Sequence, residues 1–168
     1  QKAKNIFKND ISILMEGGTT LLELARLIPE NLRASIFTLS PQIAITLSEH
    51  PRLEVITIGG KLSKNAYIHT GANVINQLSE IKVDLCIIGA NSLSVSEGLT
   101  DSDWEIVQVV KAMIRSSQKI AVLCIAEKLN TAQKMKICDL NAIDYLITEA
   151  DPSDPVLEPY RKSNITVL

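Results

Sequence analysis

The chain has 168 residues, with 17 Lys and Arg against 19 Asp and Glu for a net charge of −2. That length suits one domain, and the dispersed charge excludes the concentrated basic face that nucleic-acid backbones demand. With 46% apolar and 21% charged residues, and six prolines and seven glycines scattered along it, the composition is that of an ordinary globular unit without a disordered arm.

Residues 1–9 are polar with Ala3, Ile6 and Phe7 apolar. They read as the end of a helix whose earlier turns are missing, so the natural protein is expected to begin upstream. From there, β-rich runs alternate with helical segments: 11–15, 35–38, 53–58, 83–88, 119–126, 144–148 and 165–168 are the predicted strands. Most are continuously apolar, as strands covered on both faces must be, and the class is α/β, a mostly parallel sheet with helices on both faces. The longest apolar stretches, 83–90 and 120–126, are far shorter than the ~20 residues that span a bilayer, and with no signal-peptide pattern a cytoplasmic location is expected.

Predicted helices cover 20–28, 41–48, 71–81 and 103–117, each with an apolar stripe at helical spacing. Two shorter ones are expected near 131–137 and 155–162. Cys86, Cys124 and Cys138 lack metal-type spacing, and His50 and His69 lie apart from them. The cysteines therefore read as reduced core residues, the histidines as surface loops, and no metal or cofactor is expected.

In open α/β sheets ligands collect beyond the carboxyl ends of the strands. Glu16-Gly17-Gly18-Thr19-Thr20 follows the first predicted strand and opens a helix, an order that exposes unpaired amides at the positive end of the helix dipole and adds two hydroxyls. A phosphate or carboxylate would suit it; a threonine merely capping the helix would explain the same residues. Later strands end in Thr38-Leu39-Ser40, Gly59-Gly60-Lys61, Gly89-Ala90-Asn91-Ser92 and Ala126-Glu127-Lys128. No nucleotide-loop spacing is met, and it is the set that carries the argument: amides, hydroxyls and ammonium groups recur at one rim, enough for a small phosphoester. Asp101, Asp103 and Glu105 alternate after Gly98-Leu99-Thr100; they offer acceptors for sugar hydroxyls, although Asp103 is also well placed to cap the next helix.

Taken in order, the runs G-G-T-T, T-L-S-P-Q-I-A, I-T-I-G-G-K-L, T-G-A-N-V, V-D-L-C-I-I-G-A-N, E-G-L-T-D-S-D, K-A-M-I and A-E-K-L-N resemble, nearly end to end, the effector-sensing domain of DeoR-type bacterial transcription regulators. The resemblance implies the fold of ribose-5-phosphate isomerase, glucosamine-6-phosphate deaminase and the CoA-transferase-like proteins. It also implies a winged helix-turn-helix upstream through which alone DNA is contacted, a phosphorylated sugar as effector, and a homo-oligomer, dimer or tetramer. Carried over position by position, it puts the phosphate near Gly18, Thr19 and Thr20, with Ser40, Gly60, Lys61, Asn91 and Lys128 around the same cavity and Asp101 and Glu105 at the sugar end.

The chain departs from that pattern at named positions. The family's D-S-G-T-T begins here with Glu16-Gly17, its T-N is Thr38-Leu39, and the acidic residue three before the motif lysine is Ile125. Aligning K-A-M-I puts Ile106 where the family has a glutamate and leaves Glu105 beside it. Two other functions compete with a repressor's sensor. One is a sugar-phosphate isomerase or deaminase using Glu16, Asp101 or Glu105 as base; the other is an oligomerisation module without a ligand.

Overall fold

The computed structural model describes residues 2–168. Seven parallel strands form the central sheet: β1 (Ile11–Met15), β2 (Ala34–Thr38), β3 (Leu53–Thr57), β6 (Val83–Gly89), β9 (Ser117–Leu123), β11 (Tyr145–Ile147) and β12 (Thr166–Val167). Their spatial order is β12-β11-β9-β6-β1-β2-β3, and each falls on one of the seven predicted runs. Pleating sends alternate side chains to opposite faces. Ile13, Met15, Leu85 and Ile87 pack beneath α1 (Thr19–Arg26) and α2 (Pro41–Ser48), while Leu14, Cys86 and Ile88 face α3 (Ala72–Ser79) and α4 (Trp104–Arg115). Two buried cores, one per face, account for the unbroken apolar strands.

The chain lays β2 and β3 to one side of β1, then returns to place β6 on the other side. Such a reversal of strand order opens a crevice at the carboxyl ends of the two strands that flank it. At the opposite, amino end the same two strands are laced together: Ser12 donates from N and Oγ to Asp84 Oδ2 at 2.8 and 2.7 Å, and Asp84 N donates to Ser12 Oγ at 3.0 Å. Those bonds hold the Asp84 carboxyl below its ordinary range. The geometry of the seam thus places any ligand next to Met15 and Gly89.

Smaller elements sit over the carboxyl end. β4 (Lys61–Leu62) pairs antiparallel with β5 (His69–Thr70), and β7 (Ser92–Ser94), β8 (Gly98–Asp101) and β10 (Met135–Cys138) form a three-stranded antiparallel sheet. The helix expected near 131–137 is therefore absent, and β10 stands there. Lys136 is exposed between a half-buried Met135 and a buried Ile137, a period of two that pairs with β8 rather than an apolar stripe. His69, expected in a surface loop, lies in β5 with Nδ1 2.9 Å from Ile58 O. His50 does follow α2 in a turn, half-buried, with Nε2 3.0 Å from Pro29 O. At the start, Lys2–Ile6 form a 3-10 turn with Ala3 and Ile6 buried, in place of the expected α-helix end; Gln1 lies outside the described residues.

The segment expected as a helix at 155–162 is a 3-10 turn, Pro155–Leu157, running into the short α5 (Glu158–Arg161). Tyr160 within it is fully buried; its hydroxyl donates to Leu93 O at 2.9 Å and accepts from Asn130 N at 3.0 Å. It fastens the Lys128 turn to β7. Tyr160→Phe takes this partner from the buried Leu93 carbonyl and from the Asn130 amide and is expected to cost about 1–3 kcal/mol in urea denaturation.

Candidate functional site

A cleft of about 690 Å3 opens at the β1/β6 seam. Its floor is Glu16 and Gly17 from the end of β1 and Gly89, Ala90 and Asn91 from the end of β6. Its walls are the first turn of α1, the β4–β5 loop, Asp101 to Asp103 and the turn carrying Lys128.

Gly17 is buried against that loop, and a Cβ there would lie 2.3 Å from Ile68 Cγ2, so only glycine lets the two segments meet. Gly18 N-caps α1 at φ 89, in the left-handed region natural to glycine, and no side chain caps the helix. The first-turn amides of Thr19, Thr20 and Leu21 precede the first intrahelical bond, which Leu22 N donates to Gly18 O at 3.0 Å. Thr19 and Thr20 do not cap the helix with their hydroxyls, and both are exposed at the cleft. Backbone dipole, free donors and hydroxyls converge as an anion requires.

Of the ten residues expected around the ligand, Gly18, Thr19, Thr20, Asn91, Asp101 and Lys128 line this cleft together. Four do not. Ser40 is buried and spends its hydroxyl capping α2, accepting from Ile43 N at 3.4 Å. Gly60 is packed where a Cβ would sit 2.6 Å from Val74 Cγ2. Lys61, carried outward by β4, pairs with Glu105 at 3.1 Å, and Thr70 Oγ1 donates to the same carboxylate at 3.1 Å. These contacts hold the Glu105 carboxyl below its ordinary range. The reason is helix phase: successive residues of α4 point about 100° apart, so Ile106 faces the cleft and Glu105 faces the hairpin.

Three carboxyl groups line the cleft against Lys128, and their partners decide whether an anion is tolerated. Asp103 N-caps α4, accepting from Glu105 N at 2.9 Å and Ile106 N at 3.3 Å. Asp101 Oδ1 is held by Ser102 N and Asp103 N at 2.6 and 2.9 Å, which leaves Oδ2 for a hydroxyl. Glu16 is buried, accepts from Gly89 N at 2.9 Å, and has its pKa raised from the ordinary 4.5 to about 8, chiefly by desolvation and further by Asp101. At neutral pH it is mostly uncharged. A second hollow, of about 870 Å3, runs beside α1 and shares Thr20, Leu123 and Ile125 with the cleft. Glu23, Glu127 and Glu149 against Lys2 make it hostile to anions.

A neutral buried carboxyl has a signature in stability. Because Glu16 titrates near 8 in the fold and near 4.5 unfolded, its contribution is full below about pH 4.5 and is lost as pH rises through 8. Glu16→Gln is expected to remove a loss of up to a few kcal/mol between pH 5 and 9, read from urea midpoints across that range.

Residues 1–150 match the family described as "DeoR C terminal sensor domain". The chain belongs to that family. Among curated proteins the sensor domain is 25% identical to the HTH-type transcriptional regulator GolR of Listeria innocua, over 99% of this chain and 66% of that protein. It is 26% identical to the HTH-type transcriptional repressor GlcR of Bacillus subtilis, over 99% and 64%. Against the glycerol-3-phosphate regulon repressor of Haemophilus influenzae it is 24% identical, over 88% and 58%. The sensor domain thus spans roughly three-fifths to two-thirds of the length of these relatives.

Among solved structures, ribose 5-phosphate isomerase A of Methanocaldococcus jannaschii superposes with a TM-score of 0.53 at 16% identity, covering 76% of this chain and 50% of that one. The eIF2B beta subunit of Chaetomium thermophilum gives 0.54 at 14%, covering 84% and 46%. At such identities the likeness is one of fold, and it agrees with the isomerase-like architecture expected from the sequence. No helix among the described residues is long and apolar enough to cross a membrane.

Several lining residues carried no sequence signal. Tyr67, Asn65 and Ala66 come from the 63–68 loop, and Leu123 lies within an apolar predicted strand. In the sequence Glu16 stands after the first strand as a departure from the family pattern and as a candidate base, not as a buried neutral carboxyl.

Proposed function

We propose that this domain is the effector-sensing half of a cytoplasmic transcription regulator, and that a phosphorylated sugar seats its phosphate on the Gly18–Thr20 turn and Lys128. Asp101 takes the sugar hydroxyls. The observation that carries this reading is the uncapped α1 amino end converging with Lys128 across a cleft whose deepest carboxyl, Glu16, is neutral at physiological pH. Several charge-assisted bonds of about 1.5–3 kcal/mol each suffice for micromolar to millimolar binding after association costs. The regulator names printed for the curated relatives support a sensor rather than a catalyst, and the glycerol-3-phosphate regulon repressor among them supports a phosphoester.

In the whole protein an upstream helix-turn-helix would contact the operator. Ligand would shift the balance of subunit arrangements by a coupling of about 1–3 kcal/mol, and paired half-sites favour a symmetric oligomer. Titration calorimetry with ribose 5-phosphate, glucosamine 6-phosphate, fructose 1-phosphate and glycerol 3-phosphate tests the core claim. Saturation by a genuine effector at about a hundred times Kd should raise the melting midpoint by about 5–10 °C. No heat and no shift with any phosphoester at millimolar concentration would leave the domain as an oligomerisation module.

A further inference from the structure

Tyr67 sits at the rim of the cleft with φ 54, a left-handed backbone that a bulky side chain adopts only at a cost. The loop bearing it is closed on itself: Tyr67 N donates to Ser63 O at 2.9 Å, Ser63 N to Ile68 O at 2.8 Å, and Ala66 N to Ser63 Oγ at 3.3 Å. Ile68 at its end is buried and pressed on Gly17. The loop is therefore anchored to the anion turn, yet Tyr67 itself is 53% exposed. Burial of the side chain does not account for keeping a bulky residue at this φ. Strain of this kind persists where the surrounding structure over-determines it, and it clusters at ligand clamps.

We infer that Tyr67 is the specificity-determining residue of the cleft: its ring stacks on the C–H face of a cyclic sugar whose phosphate rests on Gly18–Thr20 and whose hydroxyls meet Asp101. The inference rests on the anion-site reading and adds the ligand class, a ring rather than an open-chain phosphoester. Sugars present apolar C–H faces and polar edges, and an aromatic ring on one wall with a carboxylate on another satisfies both. Ile106 and Ile125, apolar where the family pattern has polar groups, extend the same apolar character along the cleft wall.

The test uses the 168-residue chain and four proteins: wild type, Tyr67→Ala, Tyr67→Phe and Tyr67→Asn. Each is titrated with inorganic phosphate, glycerol 3-phosphate, ribose 5-phosphate and glucosamine 6-phosphate. Tyr67→Ala should lose about tenfold in affinity for the best ring phosphate. It should leave inorganic phosphate and glycerol 3-phosphate within about twofold, and Tyr67→Phe should restore ring binding. Tyr67→Asn, whose short side chain is at ease in the left-handed region, should equal or exceed the wild-type melting midpoint while losing the ring preference. A merely structural tyrosine would lower it.

Equal ring affinity in wild type and Tyr67→Ala overturns the inference while sparing the anion site. A parallel loss for inorganic phosphate also overturns it. Wild type binding no phosphate species at all removes both this inference and the anion-site reading beneath it.

Discussion

Gly98→Ala should cost the domain more than about 3 kcal/mol, the largest loss expected from any single added methyl group. Gly98 opens β8 at φ 73, and a Cβ there would lie 2.1 Å from Cys138 O and 2.9 Å from Asp139 Cα. Both neighbours are backbone, so no side-chain rotation relieves the clash. The residue pairs with Ser94 on β7 while pressing on the irregularity where β10 shifts register between Lys136 and Cys138. Separating the strands would also unseat Asp101, three residues on at the other end of β8, and with it one wall of the cleft. Urea denaturation of wild type and variant measures the effect, and a loss under about 1 kcal/mol would contradict this packing.

Lys128→Ala should weaken binding of the best phosphoester about 10- to 100-fold while leaving stability within about 0.5 kcal/mol. Lys128 is half-buried in the cleft lining, on a turn fixed by Ala126 N donating to Glu149 Oε1 at 2.8 Å and by the Tyr160 hydroxyl on Asn130 N. It lines the same cleft as the amino end of α1, and none of the ion pairs among the described residues engages it. Lys61→Ala is the matched control. Lys61 is 71% exposed, bound to Glu105 and outside the cleft, so its loss should change affinity by less than about threefold. Calorimetry on both variants decides which lysine holds the anion, and raising the salt should weaken wild-type binding more than it weakens Lys128→Ala.

The dependence on Glu16 adds a pH profile to the same experiment. As pH rises through about 8 the carboxyl ionises beside the bound anion, so phosphoester affinity should fall there, and Glu16→Gln should abolish the fall.

The central sheet was legible because strands covered on both faces are largely apolar, and all seven predicted runs became strands. The antiparallel elements were not: β4 and β5 have two residues each, too few for any period to register, and β10 carries its alternation over four. The site followed the same division. Gly18, Thr19, Thr20, Asn91 and Lys128 lie in the segments that follow sheet strands and so gather at one rim. Lys61 also follows a strand, but the chain there turns into a hairpin whose direction is set by pairing with His69 and Thr70, contacts no local pattern announces. Glu105 lies one step of helical rotation from Ile106, which lines the cleft in its place, and no local pattern marks Tyr67, whose loop is set by its own hydrogen bonds and by Ile68 against Gly17.

The seam between β1 and β6 joins positions some seventy residues apart in the chain, Ile13 with Leu85 and Met15 with Ile87. Closing so long an excursion carries an entropic cost that slows folding. The pocket straddles that seam. A molecule held across it acts as a clasp on two halves of the polypeptide, added to the bonds that Glu16 makes with Ile87 and Gly89 at that end. Its presence should lengthen the lifetime of the native state, resisting proteases and mechanical pull, without hastening the route by which that state is reached.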